Sequence, residues 1–405
     1  MAKSKKIIGL DIGYTKLAAL LAEVDQLNKI NVLGFYKLPA EGFDNGAVTD
    51  LQKATTTVSE CLERLKEISN LESLSGCILF VGITGDHIQH LTSVGTVSVK
   101  NPQKGINERD IRAVLNQAQT LRLSPDYQII HVFPKQFSID GQRGIRNPLG
   151  MVGLRLEIEA IVVIGMQTII ENILRIFKIL KLPCNSLVLQ SQAVASIITS
   201  EKERNLGVGI IDIGGKTTIS VFKDNVLTYY KVLKIGGDNI TNDIAICLKL
   251  PPSIAEDVKI KYGVSHLSSL GNNNQIDIYD EEGNFLKSIQ QRTLAMIIES
   301  RVKEILEYVE QDLRNAGFSE NLPGGIIITG NTAMLKGIDL LANKIFNIPA
   351  KIADLPIKYE SPDFDISYLT ALGLVNFAID GEDFYFSETE GLLSLLINKI
   401  KQTFM

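Results

Sequence analysis

The sequence predicts an α/β protein in two lobes, with a small α+β subdomain inserted into the first. Three observations carry this. At 405 residues the chain is too long for one small core, so two or more domains are expected. Two widely separated stretches are near-copies of each other: Ile7-Ile8-Gly9-Leu10-Asp11-Ile12-Gly13-Tyr14-Thr15-Lys16 and Gly209-Ile210-Ile211-Asp212-Ile213-Gly214-Gly215-Lys216-Thr217-Thr218. Residues 84–164 differ in character from the strand and helix alternation on either side.

Each near-copy is a short apolar run, then Asp, then a Gly-containing turn, then a second apolar run. The runs are too short for helices and rich in Ile, so they read as buried strands joined in a hairpin. Gly13, Gly214 and Gly215 remove the side chains that would keep a phosphate off the backbone amides. Asp11 and Asp212 sit where a strand ends, facing whatever the turns hold. Two acidic turns cannot both face nucleotide phosphates without a cation between them. Mg²⁺ held through water by one or both carboxylates fits its chemistry. The expectation is a Mg-nucleotide clamped by two related hairpins.

Composition excludes several classes. The net charge of −5 argues against general nucleic-acid binding. Cys61, Cys77, Cys184 and Cys247 lie far apart with no Cys-x-x-Cys pair, so neither a zinc site nor a disulfide framework is expected. The basic start is followed by an apolar run broken by Gly9 and Asp11, unlike a signal peptide. No window reaches the roughly 18 to 20 apolar residues that span a bilayer.

Taken in order, residues 7–38 read as strands, Leu51 to Ser69 as a helix on apolar spacing, and Cys77 to Ile83 as a buried strand. Asn107 reads as the N-cap of a helix to about Leu121. Ile129 to Phe137 and Leu154 to Ile164 read as strands around a turn-rich connector at 140–150. Thr168 to Leu180 and Ser191 to Lys202 read as helices on either side of a strand at Ser186 to Leu189. After the second hairpin come helices at Thr241 to Lys249 and Ser253 to Tyr262, an exposed hairpin turning at Asp280, and a long helix from Gln290 to Asn315. A buried strand at Gly325 to Thr329, a turn at Gly330-Asn331-Thr332, and helices at Leu335 to Phe346 and Tyr368 to Ile379 complete the folded part. Residues 380–390 read as an acidic linker.

The two Asp-Gly hairpins, the Gln-bearing helix and the late strand-Gly-helix turn resemble the actin/Hsp70/hexokinase ATPase superfamily. Further stretches narrow the resemblance. They are Phe133-Pro134-Lys135-Gln136-Phe137 with Asp140-Gly141; Asn147-Pro148-Leu149-Gly150-Met151 with Gly153-Leu154-Arg155; Gly236-Gly237-Asp238-Asn239-Ile240-Thr241-Asn242-Asp243-Ile244-Ala245; and Glu256-Asp257-Val258-Lys259-Ile260-Lys261-Tyr262-Gly263. With these the chain resembles the FtsA family of bacterial cell division proteins over essentially its whole length. The resemblance implies an actin-like fold with subdomain 1A at 1–83, 165–203 and roughly 365–380, an insert 1C at 84–164, 2A at 204–240 and 326–364, and 2B at 241–325. A linker at 381–390 and an amphipathic helix at 391–405 follow. It also implies ATP and Mg²⁺ as ligands, self-polymerisation, and binding of the FtsZ C-terminal peptide through 2B. Attachment to the cytoplasmic membrane at the division site and contacts with later division proteins complete the implied picture.

Carried over by motif, Asp11, Gly13, Tyr14, Thr15 and Lys16 fall on the first phosphate turn, with Lys16 as a point charge on the phosphates. Asp212, Gly214, Gly215, Lys216, Thr217 and Thr218 fall on the second. Gly236, Gly237 and Asp238 match the ribose side, Lys259 the adenosine side, and Gly330 with Asn331 the turn against the base. Asp11 and Asp212 are the Mg²⁺ candidates. Gln190 or Gln192 matches the residue that positions an attacking water, and the sequence does not choose between them. Three positions depart from the family: Lys216 and Asn331 stand where Gly is usual, and Ile219 where Asp is usual. Lys216 could meet a phosphate or point to solvent. The missing carboxylate makes nucleotide binding a firmer expectation than hydrolysis, which is expected to be weak or absent.

The blander readings are weighed residue by residue. His87, His90, His131 and His266 show no ligand spacing, so packing or surface roles are expected. Asp280 to Gly283 lacks the alternation of a Ca²⁺ loop. In the tail, a helix advances about 100° per residue, which puts Leu392, Leu393, Leu396, Ile397, Ile400 and Phe404 within a sector of roughly 140°. Such a stripe usually docks on a core, but the fold reads as complete before it and a polar linker intervenes. An interfacial membrane helix is the favoured expectation. The alternatives are another actin-like scaffold such as the pilus-assembly protein PilM, and a sugar kinase of the same superfamily. The first would lack the terminal helix, and the second would leave residues 84–164 and the tail without a role.

Overall fold

The computed structural model describes residues 4–271, 274–356 and 363–380. The linker and tail read from the sequence at 381–405, with the membrane candidates Leu392, Leu393, Leu396, Ile397, Ile400 and Phe404, lie outside the described residues. Among the described residues the chain divides into two compact units, one from 4–200, 224–230, 356 and 363–380, the other from 201–223 and 231–355.

The first unit opens with β1 (Lys5–Ile12), β2 (Lys16–Val24) and β3 (Ile30–Pro39). Ile7, Ile8, Leu10 and Ile12 are all buried, so β1 is covered on both faces, as its unbroken apolar run requires. A short pair, β4 (Phe43–Asp44) and β5 (Ala47–Val48), leads to α1 (Leu51–Ile68). The Asp50 carboxylate caps α1 by accepting from the Lys53 amide. β6 (Ile78–Ile83) then pairs parallel with β1.

The inserted stretch is β7 (Ile88–Ser98), α2 (Glu108–Gln119), β8 (Tyr127–Ile139), β9 (Gln142–Ile145) and β10 (Arg155–Met166). Its sheet runs β7-β10-β8-β9, and Val114, Leu115 and Ala118 of α2 pack with Leu156, Ile158 and Val162 of β10 in a core of its own. Asn107 caps α2 as read, in a reciprocal box: its Oδ1 accepts from Arg109 N at 2.9 Å, and Asp110 Oδ2 accepts from Asn107 N at 3.1 Å. β7 was not legible as a strand. Its core-facing positions include Ser93 and Gly95, and a Cβ on Gly95 would lie 2.7 Å from Ala118 N, so the backbone of α2 fills the place of side chains.

α3 (Gln167–Ile179), β11 (Cys184–Leu189) and α4 (Gln190–Ile198) follow, and the first sheet has the order β11-β6-β1-β2-β3. The helix expected to run to Lys202 stops at Ile198, because Thr199 is extended (φ −125°, ψ 145°). The second unit begins with α5 (Glu201–Leu206), β12 (Val208–Ile213) and β13 (Thr217–Lys223). β14 (Val226–Leu233) spans the division between the units. α6 (Gly237–Leu248), α7 (Pro252–Tyr262), the hairpin β15 (Gln275–Tyr279) and β16 (Phe285–Gln290), and α8 (Gln291–Asn315) come next. Asp280 Oδ1 closes that hairpin by accepting from Glu282 N at 3.0 Å and Asn284 N at 2.7 Å. β17 (Ile326–Thr329) pairs parallel with β12, and α9 (Ile338–Ile345) leads to β18 (Ala350–Ile352) beside β17.

The chain returns to the first unit as α10 (Leu369–Asp380), which packs on α4 and β1. Among the described residues no helix is long and apolar enough to cross a membrane. Near α10, His131 is buried between Phe133 and Phe377, with ring centroids 5.4 and 6.2 Å away. Its Nε2 accepts from Leu189 N at 3.2 Å, tying β8 to β11. Burial lowers its pKa from 6.5 to about 4. A folded pKa below the unfolded one means this contribution is complete above about pH 6.5 and is lost as pH falls toward 4. The predicted loss is roughly 3 kcal/mol. Urea unfolding at pH 7 and pH 4 checks this. His131→Gln keeps an acceptor without a titrating group, so its stability should fall less across that range.

Candidate nucleotide site

In the first unit, the β1–β2 turn is closed by Gly13 N donating to Lys16 O at 3.0 Å. Asp11, at the end of β1, is only 3% exposed. Its Oδ1 accepts from Gln190 Nε2 at 2.7 Å, and the same amide donates to Ile12 O at 2.8 Å. Strand order explains the meeting. β6 lies between β1 and β11, pairing Gly82 with Asp11 on one side and Val188 on the other, and Gln190 begins the helix after β11. Gly82 keeps the crossing open, since a Cβ there would lie 3.2 Å from Gln190 Cγ. Of the two glutamines, the structure brings Gln190 to Asp11. Gln192 is not brought there, and its buried Oε1 has no hydrogen-bond partner among the described residues.

Other residues of this turn have mixed surroundings. Tyr14 OH lies 3.5 Å from Thr84 Oγ1, and Thr15 is exposed. The Lys16 ammonium donates to Ser367 O at 2.5 Å, so part of its donor capacity is used within the unit.

In the second unit, three separate turns close on one another. Gly214 N donates to Lys216 O at 3.0 Å, and Gly237 N to Gly214 O at 2.7 Å. A Cβ on Gly236 would lie 2.6 Å from Gly215 O, and one on Gly237 would lie 2.7 Å from Thr332 Oγ1. Gly330 has φ +86°, and a Cβ there would strike Asp212 Oδ1 and lie 2.6 Å from Ile213 O. Thr217 is fully buried and its Oγ1 has no partner among the described residues, while Thr218 pairs across from Asp212. The N-terminus of α6 therefore abuts the second Asp-Gly turn, and helix N-termini favour anions. Asp238 and Asn331 are exposed at the edges of these turns.

Lys259 is buried on α7. Its ammonium donates to Gly237 O at 3.2 Å and Thr241 Oγ1 at 2.7 Å, and lies 2.6 Å from Glu256 Oε2. Thr241 Oγ1 also donates to Glu256. Sequence reasoning singled out Lys259 but not Glu256, Thr241 or Thr332. The i,i+3 spacing of Glu256 and Lys259 on one helix was the available signal.

Ile219 corrects the weight placed on its missing carboxylate. It pairs with Ile211 and is fully buried, whereas Asp212 pairs with Thr218. Strand alternation puts Ile219 on the opposite face from Asp212. An aliphatic side chain there completes the core and removes nothing from the Asp212 face.

A family model described as "SHS2 domain inserted in FTSA" matches residues 85–164, and one described as "Cell division protein FtsA" matches residues 209–373. Cell division protein FtsA of Pseudomonas aeruginosa is 32% identical over 86% of this chain and 82% of its own length. That of Bacillus subtilis is 32% identical over 93% and 84%. Among solved structures, the PilM–PilN type IV pilus biogenesis complex matches with a TM-score of 0.64 at 15% identity, covering 92% of this chain and 98% of that one. MreB5 of Spiroplasma citri bound to ADP matches with a TM-score of 0.55 at 15% identity, covering 91% and 94%. The fold is thus actin-like α/β with an inserted SHS2 domain.

Proposed function

We propose that this chain, which belongs to the cell division protein FtsA family, is an ATP-binding, polymerising scaffold that ties FtsZ filaments to the cytoplasmic membrane at the division site. The observation that carries the nucleotide reading is the cradle in the second unit. Gly214, Gly236, Gly237 and Gly330 come from three separate parts of the chain. Gly236, Gly237 and Gly330 pack so closely that no side chain fits on them, and the turns converge beside Asp212 and a helix N-terminus. Such a bare-backbone surface next to a carboxylate suits phosphates that bring a cation.

Residues present fit the group. Gly214 and Gly215 would lie against phosphates, and Thr241, Glu256 and Lys259 beside Gly237 would meet the ribose and adenosine side. Asp212 would hold Mg²⁺ through water in the second unit, Asp11 is the corresponding candidate in the first, and bound Mg²⁺ would supply charge neutralisation. Both amide hydrogens of Gln190 are engaged by Asp11 and Ile12, so only its Oε1 is left to accept from a water. On this reading nucleotide sets the assembly state rather than fuelling a cycle. The tail at 391–405 anchors weakly alone, and a filament displaying many copies binds by avidity. FtsZ and the later division proteins are the expected partners.

Co-sedimentation with anionic lipid vesicles, with and without ATP, tests the scaffold. Full-length protein is expected to pellet with vesicles, more so with ATP. Deleting residues 391–405 should abolish pelleting, and unchanged pelleting would overturn the tether. Asp212→Ala should weaken ATP binding at least about tenfold, as loss of an ionic partner predicts, and should remove the ATP response. Full ATP affinity in that variant would overturn the site.

A further inference from the structure

Counting along the chain makes Lys216 an intruder, because it stands four residues after its Asp and Lys16 stands five. Counting across the strands reverses that. Asp11 pairs with Ala18 and Ile12 with Leu17, while Asp212 pairs with Thr218 and Ile213 with Thr217. In each hairpin the next rung is a glycine donating to a lysine carbonyl: Gly13 N to Lys16 O and Gly214 N to Lys216 O, both at 3.0 Å. The second turn is one residue shorter, and the two lysines occupy the same rung. Alternation places each on the face of its own aspartate. Gly214, opposite Lys216, has its Cβ direction 3.9 Å from Asp212 Oδ1, which marks the same face.

Lys216 is half-buried, and its ammonium makes no hydrogen bond or ion pair among the described residues. We propose that Lys216 is the second hairpin's counterpart of Lys16. It is a phosphate-contacting cation that favours a nucleoside triphosphate and lessens the need for divalent metal. This rests on the nucleotide-binding reading above. An ammonium is a compact charge with three donors, suited to several phosphate oxygens at once. Lys216 and Mg²⁺ neutralise the same phosphate charge, so each matters more when the other is missing.

Isothermal titration calorimetry with ATP, ADP and adenosine, in Mg²⁺ and in EDTA, tests this on the full chain, Lys216→Gln and Lys216→Arg. In Mg²⁺, Lys216→Gln should weaken ATP about tenfold, the usual scale for one charge-assisted contact. In EDTA the factor should be larger. ADP should lose less, adenosine nothing, and Lys216→Arg should stay close to the parent. Equal ATP affinity of Lys216→Gln and parent in EDTA would overturn the proposal. An equal loss for adenosine would also overturn it, by showing a collapsed turn. If the parent protein binds no ATP in Mg²⁺, the nucleotide reading itself falls, and this proposal with it.

Discussion

Gly330→Val is expected to lower ATP affinity by about a hundredfold or more, roughly 2.7 kcal/mol, and to destabilise the second unit. The backbone at Gly330 has φ +86° and ψ 166°, a region essentially open only to glycine, which costs an L-residue about 1–3 kcal/mol. A Cβ there would strike Asp212 Oδ1 and lie 2.6 Å from Ile213 O and 2.7 Å from Ile213 C. Asp212 must move or the turn must open, and either displaces the carboxylate from the neighbouring Gly214 and Gly237 turns. β-branching at position 330 adds overpacking, worth about 1–3 kcal/mol. Binding measured by calorimetry, beside far-ultraviolet circular dichroism of the same samples, separates lost affinity from lost fold. A variant that binds ATP at parental strength would show that the Gly330 turn does not hold Asp212.

Gly373→Ala should lower the melting temperature of the first unit by about 4–8 °C. Two effects oppose each other. In a helix, Ala is favoured over Gly by about 1 kcal/mol. Against that, a Cβ at position 373 would strike Ala193 O and lie 2.5 Å from Ala193 C and 3.1 Å from Val194 N. These are backbone atoms of α4 and cannot swing aside, so α10 must lift off. Overpacking of this kind costs about 3 kcal/mol, leaving roughly 2 kcal/mol of net destabilisation. α4 also carries Gln190, so the Gln190 amide should leave Asp11 as the helices separate. Differential scanning calorimetry reads the shift. Gly271→Ala, in the second unit, where a Cβ meets nothing within 4 Å, should leave the first unit's transition in place. A near-parental melting temperature for Gly373→Ala would mean that α10 and α4 tolerate a wider spacing.

Local features were legible wherever physics acts along the chain. The Ile-rich runs around Asp11 and Asp212, the Asn107 cap of α2 and the Asp280 turn depend on neighbours a few residues away. Their strands, cap and hairpin stand where the sequence placed them. β7 was missed because a strand whose core contact is a helix backbone over Gly95 carries little apolar period. Thr241 was missed because nothing in its own segment marks it until α6 and α7 pack together, and Glu256, though spaced i,i+3 from Lys259, shows its part only in that packing.

By itself, then, the sequence determined the paired hairpins, their glycine turns, their acidic ends and the family resemblance that names ATP. Only the tertiary structure decided which residues meet. Gln190 and Gln192 are two positions apart on a helix, about 200° around its axis, so one faces where the other does not. Which of them reaches Asp11 depends on β6 lying between β1 and β11 with a glycine at the crossing. Lys216 and Ile219 changed meaning for the same reason. A motif counts residues along the chain, whereas hydrogen-bond register counts them across it, and only register says which side chains share a face.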